Sequence, residues 1–166
     1  MKGFAIAVLL PCAAYAFDQA AWMERREVLS REAERLRAAY SNAVESAMES
    51  AEGVVVPLET NADGSIKISI SAKKSKFFLK EGLVWAEDLA LCRFGDGGAE
   101  TSRIEAKSCL FDRSTKSGWA EGPAKIVHAG TVFEGRDVYF SAEEEYVMSL
   151  GGSRLETKGV KGGGLR

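Results

Sequence analysis

The side chains able to do chemistry are few and scattered. One histidine is present, His128, at the end of the strand-like run Lys125-Ile126-Val127-His128. A metal pair needs a second histidine, and a Ser/His/Asp set needs a histidine placed by its partners. A lone strand histidine reads as a surface or structural residue. Asn61-Ala62-Asp63-Gly64 resembles part of a calcium loop but lacks the later bidentate acid, so it reads as a turn. Glu143-Glu144-Glu145 could hold a cation, and reads more simply as a solvated strand end. Lys73-Lys74-Ser75-Lys76 is a basic cluster at an expected turn; it could touch a lipid phosphate, and reads more simply as a solvated turn. Gly162-Gly163-Gly164 follows no strand and opens no helix, so it is no phosphate cradle. These residues predict no enzyme, no catalytic set, no metal site and no cofactor.

The elements that carry these residues begin with an export signal. Lys2 supplies a positive start, Phe4 to Leu10 an apolar run, and Ala14-Tyr15-Ala16 a small-x-small cleavage pattern. The apolar stretch from Phe4 to Phe17 is 14 residues, short of the roughly 20 that span a bilayer. Residues 1–16 are therefore expected to be cleaved, with an uncleaved anchor as the rival. The expected location is the periplasm, inner-membrane-associated if the segment is kept. Residues 1–16 hold one base and no acid, so their removal takes the net charge from −2 to −3. A weakly acidic surface argues against nucleic acid, which needs a basic face. Two cysteines remain, Cys92 and Cys109. A hairpin around Gly95–Gly98 would set Cys92 opposite Thr101, and no disulfide is predicted.

Residues 17–53 read as a helical segment, with Asp18 as N-cap and Gly53 as the residue after the C-terminus. Trp22, Leu29, Leu36 and Ala43 recur every seven residues, with Ala33, Tyr40 and Ala47 between them. That is one apolar seam, broken once by Arg26. Glu45, Glu49 and Glu52 oppose the helix dipole, so the last turns are expected to fray unless docked. The seam suits a helix lying on its own domain or on a partner.

Residues 54–158 read as one β domain, and residues 159–166 as a flexible tail. Val54-Val55-Val56-Pro57-Leu58 suits an edge strand. Ile66, Ile68 and Ile70 alternate with polar residues. Turns are expected at Glu81-Gly82, Gly95–Gly98, Ser117-Gly118, Gly130, Glu134-Gly135 and Gly151-Gly152. Within this region one pattern occurs three times. Ile70-Ser71-Ala72, Ile104-Glu105-Ala106 and Phe133-Glu134-Gly135 are each followed, five residues after the last member, by Phe77, Phe111 and Phe140. Thirteen residues after it stand Trp85, Trp119 and Met148, and twenty after it Cys92, Ile126 and Leu155. A period near 30 residues means stacked equivalent units, which align like side chains in rows. Such rows are either a dry core or the lining of a groove for something apolar.

The stretch Ile104-Glu105-Ala106-Lys107-Ser108-Cys109-Leu110-Phe111-Asp112, followed by Ser117-Gly118-Trp119-Ala120-Glu121-Gly122-Pro123-Ala124-Lys125-Ile126, resembles the OstA-like β-jellyroll repeat. That family contains the periplasmic lipopolysaccharide-transport proteins of the LptA and LptC type. The resemblance covers about residues 54–158 and not the helix. It implies a mainly β fold: a folded-over antiparallel jellyroll of three repeats, open along one side, here preceded by one long amphipathic helix. It also implies that acyl chains of lipopolysaccharide lie in an apolar groove. Neighbouring jellyrolls would stack edge to edge into a bridge from an inner-membrane transporter toward the outer membrane. The lining residues by position are Ile70, Ile104 and Phe133; Phe77, Phe111 and Phe140; Trp85, Trp119 and Met148. The chain departs from the LptC-type pattern in its cleavable-looking N-terminus and its long helix. The rival to lipid transport is a structural envelope module, assembled through the helix and the sheet edges without lipid.

Overall fold

The computed structural model describes residues 6–9, 19–144 and 146–157. The elements in chain order are β1 (Ile6–Leu9), α1 (Gln19–Glu45), β2 (Ala51–Thr60), β3 (Ile66–Phe78), β4 (Leu83–Phe94), β5 (Glu100–Asp112), β6 (Ser117–His128), β7 (Thr131–Ser141), β8 (Tyr146–Ser149) and β9 (Ser153–Thr157). A short 3-10 turn, Asp96–Gly98, joins β4 to β5. The strands form one antiparallel sheet in the order β1-β8-β7-β6-β5-β4-β3-β2, with β9 also on β7. The fold is mainly β: an open jellyroll-like sheet with one N-terminal helix.

The three repeats are three hairpins: β3 with β4, β5 with β6, and β7 with the pair β8 and β9. Their like residues fall in register. Ile70, Leu91, Ile104, Ile126 and Phe133 are successive cross-strand partners, flanked by Val56 on β2 and Leu155 on β9. Phe77, Val84, Phe111, Gly118, Phe140 and Val147 form a second such row.

The odd step inside the repeat explains the shape of the sheet. Side chains alternate between faces, so residues five apart in a regular strand point opposite ways. Ala106 and Phe111 nevertheless share one buried cluster. The strands slip phase between these positions. Pairing shifts between Ala106 and Ser108 on β5 and between Ala120 and Pro123 on β6. Asp88 on β4, Gly122 on β6 and Asp137 on β7 take left-handed backbone at φ 49°, 80° and 53°. Bulges of this kind bend a strand and increase its twist. The third repeat breaks at the same level, where the second strand of its hairpin divides into β8 and β9. A line of irregularities thus crosses the sheet and lets both ends of each strand turn one face inward. The bend is closed by contacts between distant ends. Arg93 on β4 donates to the Ala142 carbonyl after β7, and Glu59 on β2 meets Lys116 in the β5–β6 turn.

The helix covers the other face at the Phe77–Phe111–Phe140 end. Leu29, Ala33, Leu36, Tyr40 and Ala43 are its buried residues, a stripe at steps of three and four. They pack on Leu110, Trp119, Tyr139, Tyr146 and Met148. α1 ends at Glu45, earlier than the sequence suggests, and Gly53 lies inside β2. No base stands in its last turn. Instead Lys76 of β3 donates to the carbonyls of Val44 at 2.9 Å and Ser46 at 2.8 Å. The sheet supplies the cation that the unsatisfied end needs.

Several local expectations change. Lys73–Lys76 is not a turn but lies within β3, and Ser117-Gly118 and Glu134-Gly135 lie within β6 and β7. Cys92 pairs with Arg103 rather than Thr101. Cys92 and Cys109 are both free thiols. The proposed cap Asp18 and the tail 159–166 lie outside the described residues. So does the signal segment, except that the Ile6–Leu9 backbone pairs with β8.

Candidate functional site: the apolar interior and its open edge

The inward face joins two of the three expected lining rows. Ile70, Ile104, Phe133, Phe111 and Phe140 belong to one buried cluster, and Phe77 is half-buried in the same register row. Trp85, Trp119 and Met148 also form a row, each two strands from the next, but on the opposite face beneath α1. The reason is local. Trp85 follows Val84, which pairs with Phe77, and neighbouring residues of a strand point to opposite sides. Arg37 stacks over the Trp119 ring at 5.8 Å and Lys76 over Trp85 at 5.2 Å, as befits a helix–sheet contact.

The interior is packed. Phe111 and Phe140 are 0% exposed, their rings stacked with centroids 6.3 Å apart. Gly118 stands between them in the row because the Phe140 ring occupies the space of a Cβ, with Cζ 2.3 Å from that position. Two residual spaces of about 30 Å³ remain. One lies among Leu91, Ile104, Ile126, His128, Ala142 and Val147. The other lies between β2 and the β5–β6 hairpin, bordered by Val54, Val56, Leu58, Phe77, Phe111 and Arg113. Each is about the share of one water molecule, against the roughly 300 Å³ at which small-molecule sites begin. In this conformation the rows meet each other.

The second space lies at the open edge. Among the described residues β2 pairs only with β3, and its pairing slips twice between Pro57 and Thr60. Glu59 accepts from Lys67 at 2.6 Å and from Lys116 at 3.0 Å, and these two contacts hold its carboxyl below the usual range. Sequence reasoning recognised β2 as an edge strand but did not assign Val54, Val56 and Leu58 to the lining. Their signal was the alternation across Pro57.

Elsewhere the polar groups serve structure. Asp112 receives Ser114 N at 2.8 Å and the Arg35 guanidinium, while Glu32 receives Arg35 at 2.6 Å. Arg35 holds Glu32 below its ordinary value. Burial raises Asp112, but Ser114 and Arg35 outweigh it and leave that carboxyl lowered too. Burial alone pushes the Cys109 thiol far up, away from reactivity. Glu144 pairs with Arg25 of the helix. A shallow groove of about 830 Å³ is bordered by Glu105, Lys125, Glu134 and Arg154, a cross-strand row of alternating sign with no bias toward either charge. Among the described residues no group of three or more His, Cys, Asp or Glu gathers as a metal site, and no helix is long and apolar enough to cross a membrane.

Comparison with protein-family models finds no match, and comparison with curated proteins finds none.

Proposed function

We propose that this chain is a non-enzymatic lipid-transport module of the cell envelope, of the OstA-like type. Its open jellyroll shields acyl chains of lipopolysaccharide or a similar lipid in the periplasm, as part of a bridge that starts at an inner-membrane transporter. The observation that carries the reading is the apolar row Val56–Ile70–Leu91–Ile104–Ile126–Phe133, continuous across six strands of a sheet that does not close. Each CH₂ moved from water to such a surface contributes about 0.8 kcal/mol, so shielding needs no catalyst. The packed state of Phe111 and Phe140 restricts where a chain could enter. The half-buried residues at the open edge, Val54, Val56, Leu58 and Phe77, are the ones a lipid would meet first. Saturable binding of a fluorescent lipid A by the purified full chain tests this, with Val56→Asp expected to weaken it. Absence of saturable binding by the wild type would end the proposal.

A second reading has its own observation. The interior is filled by its own side chains, with spaces of about 30 Å³ only. A lipid-free envelope module joined to its neighbours by the sheet edges would look the same. Native mass spectrometry of protein from its own envelope separates the two, since only a lipid carrier arrives with lipid mass attached. The same spectrum reports whether residues 1–16 have been removed.

A further inference from the structure

We propose that the end of β2, residues 56–60, is a movable wall latched by Glu59 across the fold, and that its opening admits one acyl chain whose anionic head meets Arg113. This rests on the lipid-shielding reading and names the doorway and the head-group contact within it.

The wall is weakly held by backbone. Among the described residues β2 has β3 as its only neighbour, Pro57 has no N–H to donate, and the register slips between Pro57 and Glu59 and again before Thr60. Side chains take over. Lys67, on the paired strand β3, also holds Glu59 at 2.6 Å, but from within the β2–β3 pair and not across the opening. Lys116 lies in the β5–β6 turn, on the far side, and its 3.0 Å contact with Glu59 spans it. Behind the wall, Val56 and Leu58 face Phe77 and Phe111 around a space of about 30 Å³, too small for a chain until β2 moves outward. Arg113 stands at the rim of that space. It is exposed and has no ion pair among the described residues. An apolar slot with an exposed guanidinium at its mouth fits an amphiphile with an anionic head. A carboxylate and a phosphate both match a guanidinium fork.

The test uses the full chain and three probes: cis-parinaric acid, its methyl ester, and a fluorescent monoacyl phosphate. Hydrogen exchange reads the wall without any lipid. Glu59→Gln and Lys116→Met are each expected to speed amide exchange across residues 56–60, with β5 and β6 unchanged. Lys116→Met should raise the rate of probe uptake roughly two- to fivefold, the worth of one partly exposed ion pair, and Glu59→Gln, which loses the Lys67 contact as well, at least as much. Arg113→Ala should weaken the charged probes about tenfold and leave the ester unaffected. The ratio of the two charged probes tells carboxylate from phosphate. Unchanged exchange in both latch variants overturns the wall. Equal loss for acid and ester overturns the Arg113 contact. Faster exchange with no probe bound by any variant overturns the acyl occupant of this doorway while the wall stands, and lipid A binding by the wild type then decides the lipid-shielding reading separately.

Discussion

The Tyr40 hydroxyl of α1 donates to the Ser108 hydroxyl of β5 at 2.6 Å, and the Trp85 indole of β4 donates to the same oxygen at 3.1 Å. One serine thereby joins the helix to two strands at the level where the sheet bends. The amphipathic seam of α1 is spent on the molecule's own outer face. An assembly built through that seam would have to undock the helix first, so any envelope partner is better sought at the sheet edges.

Docking of the helix predicts a graded loss of stability. Leu36 is 0% exposed beneath the sheet, and Leu36→Ala should cost about 2–5 kcal/mol in urea unfolding. Tyr40→Phe should cost about 1 kcal/mol through the lost hydrogen bond. A Leu36→Ala midpoint equal to that of the wild type would show that the helix is not docked in solution.

Acid should loosen the same contact. Glu32 and Asp112 have folded-state pKa values below their ordinary values of 4.5 and 3.8. Carboxylates depressed by folding stabilise fully above the unfolded values and lose that contribution as pH falls through the lowered folded ones. Thermal melts should therefore hold level from pH 7 to about pH 5 and fall below about pH 4.5. Asp112→Asn should be less stable at neutral pH and lose less on acidification. Equal acid losses in wild type and variant would show that Asp112 carries no such linkage.

Core and lining make different predictions at two positions of the inward face. Phe111 is fully buried, and Phe111→Asp should unfold the protein whatever the interior binds. Val56, half-buried on the edge strand, should tolerate Asp with native strand-rich circular dichroism. If Val56→Asp is folded and binds lipid A as the wild type does, the edge is not the lipid's route.

The repeat made much of this fold readable. Aligning Ile70 with Ile104 and Phe133, and Phe77 with Phe111 and Phe140, picked out two rows that the sheet keeps in register. The third set, Trp85, Trp119 and Met148, was equally periodic yet turned to the helix. Repeat spacing reports equivalence between units, not which face a residue takes. That depends on the hairpin pairing, here Phe77 with Val84, which the spacing alone does not reveal. Cys92 and Ile126 show the same limit. They are equivalent in sequence, but Leu91 and not Cys92 pairs with Ile104, so the cysteine faces away. The latch at Glu59 was unreadable for a different reason. It joins residues 57 apart through a bend, and nothing local to either marks the contact.

Gly118 is where the repeat and the packing meet, and it carries the sharpest mutational prediction. In the row between Phe111 and Phe140 it sits under the Phe140 ring, whose atoms stand 2.3–3.0 Å from where a Cβ would be. The ring is fully buried and held by Phe111, so it has no free space to retreat into. Gly118→Ala should cost about 1–3 kcal/mol by overpacking, although alanine is otherwise the better residue within a strand. A double variant, Gly118→Ala with Phe140→Leu, should recover part of that loss, because the shorter side chain vacates the position. Urea unfolding of the two single variants and the double variant gives the coupling directly. Additive losses would mean that the ring does not lie over Gly118. The inward stacking of the second row would then have to be abandoned.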